Sequence, residues 1–487
     1  MMLTLGFLRS NFIKQPSTNK RDMKYTLLFF FSIMIQCSYG QAVEGTLLGT
    51  WSNPDLPASN AHDNTYNEVW GLAVNDHEFA VLGTTLGTHI IDVTDANNPI
   101  ELFVIEGGTT GGSIIHRDFH DHKGYLYSIA DEGSNTALQI IDITQLPDAI
   151  EVVYESSEFF TRSHNIFIDE SKDRLYSLIS NGDAFGYSPM RIFDISDPID
   201  PKVLGAYSNL DGYNISQVHD AFVRNDTAYL NLGPGGFAIV DFADVDNPNV
   251  ISVLSTAEYP QSGYNHSGWL TDNGDFYYMA DETFGSDMKV LDLRNLPDID
   301  IPTLFNAGSN NVTIPHNQIV DGDKLYVSYY FDGLQVYDIS DPINPVREMF
   351  YPTSKFPPTN GLYRGAWGVY PYLPSGNILV SDMQEGLFIV DGDFSTATEE
   401  IDEELIKHEF TISPNPSSGI FELDLSLFSG QEASVEITDN TGKLILSKSL
   451  STDLHFLDLS QSLANGLYNL KVFNGKKTTT KRLVLRN

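Results

Sequence analysis

Seven short stretches of this chain close in the same way. Gly386-Leu-Phe-Ile-Val-Asp391 is the clearest, and its relatives are Thr88–Asp92, Leu138–Asp142, Met190–Asp194, Phe237–Asp241, Met288–Asp292 and Leu334–Asp338. Each is a run of β-branched or aromatic residues, of the length of a buried strand, ended by an aspartate. The closing aspartates recur at about 50 residues, in the range of a four-stranded propeller blade.

Each unit reads as four strands. The first opens near a His or Trp, as in Trp70–Val74, His164–Ile168, His219–Val223, His316–Val320 and Trp367–Tyr370. The second follows a polar turn, as in Tyr125–Ile129, Arg174–Leu178, Phe276–Met279 and Lys324–Ser328. The Asp-ended run is the third. The fourth follows a turn such as Ser196–Pro201 or Ser340–Pro345, where Asp bonds to nearby backbone and Pro fixes φ. No stretch between Thr46 and Asp391 has a helical period. A sheet of four short strands cannot bury both of its faces alone, and radial stacking covers them. The seventh unit stops after Asp391 without a fourth strand, whereas Gly45–Trp51 resembles the fourth strand Val203–Tyr207, glycine included. The sequence therefore predicts an all-β fold: a seven-bladed β-propeller, closed by an N-terminal strand, plus a small C-terminal β-sandwich.

The Asp-ended runs resemble the LVIVD repeat, and residues 44 to 392 resemble the secreted propeller family called choice-of-anchor B. That resemblance implies no established reaction. An acidic linker, Glu399–Glu404, follows. Beyond it come Ile412-Ser-Pro-Asn-Pro-Ser-Ser-Gly-Ile420, Asp439-Asn-Thr-Gly-Lys-Leu444, Leu463-Ala-Asn-Gly-Leu-Tyr468 and a basic end, Lys481–Asn487. These are strands parted by Asn-Pro, Thr-Gly and Asn-Gly turns. In this order they resemble the type A sorting domain of type IX secretion. The resemblance implies export across both membranes, the type IX machinery as a partner, and then release or attachment at the outer surface of a Gram-negative bacterium. The expected domains are 1–40, 41–394, 395–407 (linker) and 408–487.

The front end agrees with export. Lys24 precedes the apolar run Leu27–Ile35, and Ser38-Tyr-Gly40 then stands before Gln41. This reads as a signal peptide starting at Met23, too short to span a membrane comfortably. The mature chain is expected to have no transmembrane span. The single cysteine, Cys37, falls in that segment, so neither a disulfide nor a thiolate metal site is expected in the mature chain. Formal net charge is −37, which repels phosphate backbones and argues against nucleic acid as a partner.

In a blade the start of the first strand lies beside the end of the second. His116, His164, His219, His266 and His316, with Trp70 and Trp367 in equivalent places, are therefore expected at one mouth of the channel. Beside them should stand the acids of Asp131-Glu132, Asp281-Glu282 and Asp382. This is the candidate ligand-binding site. Histidines repeated in every blade also have a purely architectural use, bracing the adjoining turn. Zinc is disfavoured by the expectation that a propeller spreads equivalent residues too widely for bonds of about 2.1 Å. No cofactor is certain. Calcium (Ca2+), with longer bonds and oxygen ligands, is easier to place near the acidic loops, although no twelve-residue calcium loop is present. Phe159, Phe160, Tyr213, Tyr259, Tyr264 and Tyr363 are loop aromatics available to a sugar or peptide. The chain lacks His-Glu-x-x-His, Gly-x-Ser-x-Gly and Gly-x-x-x-x-Gly-Lys. The reading therefore leans towards a binding module for a glycan, a peptide or an envelope protein. An extracellular hydrolase or lyase working through mouth histidines and acids is the alternative.

Overall fold

The computed structural model describes residues 42–393 and 410–486, apart from 136–137, 183–185, 211, 246–251, 309–311, 426–431, 440–442, 452–453, 461–462, 465 and 474–477. The expected signal peptide and the acidic linker lie outside the described residues. Every regular element described is a strand, and no helix among them is long and apolar enough to cross a membrane.

One two-stranded pair, Asn209–Leu210 with Tyr213–Asn214, and seven sheets of four or five strands precede residue 392. Their innermost strands are Tyr66–Val74, Arg117–His122, Asn165–Asp169, Asp220–Arg224, Asn265–Leu270, Gln318–Asp321 and Ala366–Tyr370. Each of these lies against the next, and the last lies against the first, so the sheets form a ring.

The ring is held by seven apolar clusters, one at each junction. Leu72, Phe79, Val81 and Ile90 of the first sheet pack with Phe119, Leu126 and Ile141 of the second. The junction between the last sheet and the first is built alike, from Tyr370, Leu379, Leu387 and Ile389 against Tyr66, Val69, Ala80 and Leu82. The Asp-ended runs show how one sheet serves two junctions. Ile90 packs towards the second sheet and Ile91 towards the seventh. Ile239 faces the fifth sheet and Val240 the third. Successive residues of a strand point to opposite faces, so two apolar residues in a row mark a strand covered on both sides.

The closing aspartates have one job in all seven sheets. Asp92, Asp142, Asp194, Asp241, Asp292, Asp338 and Asp391 each accept, through Oδ1, the backbone N–H two residues on, at 2.7 to 3.1 Å. This turn ends the third strand and sets up the turn to the fourth.

Leu47–Trp51 supplies the outer strand of the seventh sheet, pairing antiparallel with Gly386–Val390 (Thr50 opposite Phe388, Trp51 opposite Leu387). The N-terminal segment also reaches one sheet further than expected, since Val43–Glu44 adds in parallel to Val346–Tyr351 of the sixth sheet.

The C-terminal residues form a three-stranded and a four-stranded sheet. These share a core that includes Phe421, Leu423, Val435, Ile437, Leu470 and Leu483. Arg482 of this sandwich pairs with Asp321 at 2.5 Å and lies 4.9 Å over the Tyr372 ring.

Candidate functional site

The inner strands bring six aromatic rings together at one end of the channel. Neighbouring centroids are 4.9 Å apart for His116 and His164, 4.3 Å for His164 and His219, and 4.1 Å for His219 and His266. The circuit continues at 4.4 Å from His266 to His316, 4.5 Å from His316 to Trp367 and 5.2 Å from Trp367 back to His116. The first sheet contributes no ring. Its Asn67 donates to the Ile115 carbonyl at 2.9 Å, and its Glu68 accepts from Asn317 Nδ2 at 2.6 Å, joining the first sheet to the sixth. The expectation that equivalent residues stand too far apart to share a small ion is thereby overturned. The inner strands start where seven sheets crowd closest to the axis, and their side chains touch.

The imidazoles are oriented mainly through Nδ1. His219 Nδ1 donates to the His266 carbonyl at 3.0 Å, and His316 Nδ1 donates to the Trp367 carbonyl at 2.6 Å. A carbonyl only accepts, so both rings carry a proton on Nδ1. His164 Nδ1 meets Asp131 at 2.9 Å. His116 Nδ1 meets Glu132, whose other oxygen accepts the backbone N–H groups of Ile115 and His116 at 2.9 and 3.0 Å. Among the described residues, His266 Nδ1 is buried without a partner at hydrogen-bond length. The Nε2 atoms of His164 and His219 stand 2.8 Å apart, and that of His266 lies 3.8 Å from Glu282 Oε2.

Burial decides most of the charge states. It pushes His219 and His266 well below the ordinary imidazole range, with neighbouring imidazoles adding to the effect, and takes His316 down to about 3. Burial also lowers His116, but the bond to Glu132 and the nearby acid charges outweigh it, and the group ends raised. Glu282 is pushed up to about 7 by burial, against a hydrogen bond from Tyr330. Two further carboxyls of the inner strands, Asp118 and Asp220, are raised by burial to about 7 and about 8.

The rings border a cavity of about 430 Å3, lined also by His62, Arg117, Tyr264, Glu282, Tyr330 and Tyr363. Four expected members do not border it: Asp131, which holds His164 Nδ1, and Trp70, Asp281 and Asp382. The first strand of the first sheet starts at Tyr66, so Trp70 sits further along it, donating to Asp121 at 2.8 Å with its ring 4.6 Å from His120. Asp281 accepts from the Tyr259 hydroxyl and from the N–H groups of Gly263 and Tyr264, at 2.9 to 3.0 Å. Asp382 accepts from Thr353 Oγ1 and from the N–H groups of Gln384 and Glu385, at 2.7 to 3.0 Å. Both acids brace loops. Strand alternation was the available signal at one of the two acid pairs: one residue beyond Asp281, the chain turns Glu282 towards His266, whereas Asp131 and Glu132 each meet a histidine. Among the loop aromatics, Phe159 and Phe160 lie in the core between the second and third sheets, and Tyr259 is buried. Tyr213 donates to the Gly235 carbonyl at 3.2 Å.

Among the described residues two groups of three can hold a metal ion: His116, Asp131 and His164, and His266, Glu282 and His316. Each has two imidazoles and one carboxylate, whereas calcium takes oxygen ligands. The calcium expectation therefore finds no support at the mouth.

Residues 411–486 match the family model described as the secretion system C-terminal sorting domain. The chain is thus a type IX secretion cargo, exported to the cell surface or beyond it in a Gram-negative bacterium. No curated protein matches the chain. Among solved structures it is similar to the β-propeller domain of Cps50 (Swd1) from Myceliophteria thermophila, with 10% identity and a TM-score of 0.48 over 71% of this chain and 98% of that one. It is also similar to the periplasmic gluconolactonase PpgL of Pseudomonas aeruginosa, with 10% identity and a TM-score of 0.47 over 80% and 99% of the two chains. Identities this low and superpositions this loose carry no function across.

Proposed function

We propose that the chain is a secreted or surface-attached binding module, a choice-of-anchor B propeller of LVIVD repeats over 41–394 carried by a sorting domain over 408–487. Its ligand, a glycan, a peptide or an envelope protein, enters the channel mouth. The observation that supports this most is the circuit of His116, His164, His219, His266, His316 and Trp367 around a cavity of about 430 Å3. Hydrogen bonds of Nδ1 hold His116, His164, His219 and His316 before any ligand arrives, and such preorganisation lowers the ordering cost of binding.

A hydrolase or lyase is the second reading. It is favoured by the pairs His116–Glu132 and His164–Asp131, in which a carboxylate orients an imidazole as in general-base catalysis. A panel of glycans and peptides presented to the purified full chain and to His219→Phe separates the readings. Retention by the wild type alone, without turnover, is the expected result. Turnover moves the assignment to the second reading, and equal retention by a folded His219→Phe removes the ligand from the mouth.

A further inference from the structure

We propose that His266, Glu282 and His316 hold a divalent transition-metal ion of the zinc class at the channel mouth, with a coordination position left open to the cavity. One candidate ligand atom from each residue lies within 4.8 Å of the other two, and His266 Nε2 is 3.8 Å from Glu282 Oε2. Four-coordinate zinc, with bonds of about 2.0–2.1 Å, wants ligand atoms about 3.3 Å apart. The trio is therefore open by about 1.5 Å at most per side, within the reach of side-chain rotations.

The surroundings of the trio are those of a held ligand set. His316 Nδ1 is fixed by the Trp367 carbonyl at 2.6 Å, which leaves its Nε2 for an ion. Glu282 Oε1 is fixed by the Tyr330 hydroxyl at 2.6 Å, which leaves Oε2. Such outer partners set the orientation of metal ligands. His266 and His316 are each 3% exposed, and the only ion-pair contact of Glu282 among the described residues is His266. Glu282 Oε2 is a desolvated oxygen beside two neutral imidazoles, and a divalent ion gives all three a common partner. Two imidazoles with one carboxylate suit zinc-class metals better than magnesium or calcium. The other trio is already committed: Asp131 holds His164 Nδ1, and His164 Nε2 faces His219.

The ion shares a cavity with the ligand proposed above but does not rest on it, because metal alone tests the ion site. The EDTA-treated full chain is titrated with Zn2+ by calorimetry, together with Glu282→Gln, His316→Gln and Asp131→Asn. One ion per chain is expected, weakened about tenfold or more in the first two variants and unchanged in Asp131→Asn. Absence of saturable binding by the wild type overturns the proposal, as does unchanged affinity in a folded Glu282→Gln or loss in Asp131→Asn instead. X-ray absorption of the zinc-loaded wild type needs no variant: imidazole scattering supports the site, and a shell of oxygen alone overturns it.

Discussion

His164 and His219, from neighbouring sheets, stand Nε2 to Nε2 at 2.8 Å. One of the two nitrogens must carry a proton for that distance to be attractive. His219 holds its proton on Nδ1, directed at the His266 carbonyl, so His164 supplies the shared one. Asp131 stands 2.9 Å from the other nitrogen of His164, Nδ1, so both nitrogens of this ring are engaged. The mouth is thus a chain of directed contacts running from sheet to sheet, in which carbonyl partners fix the tautomers of His219 and His316.

Lys289 gives a pH-dependent prediction away from the mouth. Its Nζ is buried, donating to Ser286 Oγ and to the Asp287 carbonyl, both at 2.6 Å. Burial lowers its pKa to about 8, against about 10.4 in an unfolded chain. Between these values the unfolded state binds more protons, so stability rises with pH. Denaturant unfolding at several pH values should show the wild type gaining on Lys289→Met by roughly 2.5 kcal/mol from pH 8 to about 10.4.

The Asp-ended runs predict a modest and specific cost. Asp194 accepts the Ser196 N–H at 2.8 Å, and hydrogen bonds from Ser196 hold its carboxyl below the usual range. Urea unfolding of Asp194→Ala at neutral pH should show a loss of about 1 kcal/mol. A depressed carboxyl contributes stability above its unfolded pKa and loses it as pH falls through the folded value, so the gap between the two proteins should close in acid.

How far these features are legible in the sequence varies with their physics. Repeat length, alternating burial and the missing outer strand all follow from covering two faces of every sheet, and they can be read from residues such as Ile90-Ile91-Asp92. A His or Trp near a strand start does not set the depth at which the strand begins, so the depth of Trp70 is not legible. Asp281 and Asp382 stand at strand ends, where the last hydrogen bond to a loop decides which way a side chain turns. The closeness of the histidines depends on the radius of the ring, which no local pattern encodes.

Ring closure can be broken at one glycine. A Cβ on Gly49 would lie 2.0 Å from the Ala96 carbonyl oxygen, a contact that no rotamer relieves. Gly49→Val should displace Leu47–Trp51, bare the Gly386–Val390 edge and lower stability by more than about 2 kcal/mol. Thermal unfolding and limited proteolysis check this: the variant should melt earlier and be cut near its N-terminus, with exposed-edge association raising its apparent mass.

The most direct test of the mouth is its pattern of imidazole protons. Nitrogen-15 spectra of histidine-labelled, EDTA-treated full chain at neutral pH resolve each ring state. The account predicts neutral rings protonated on Nδ1 for His219 and His316. Nε2-protonated tautomers at His219 and His316, or rings exchanging freely between tautomers, would contradict it.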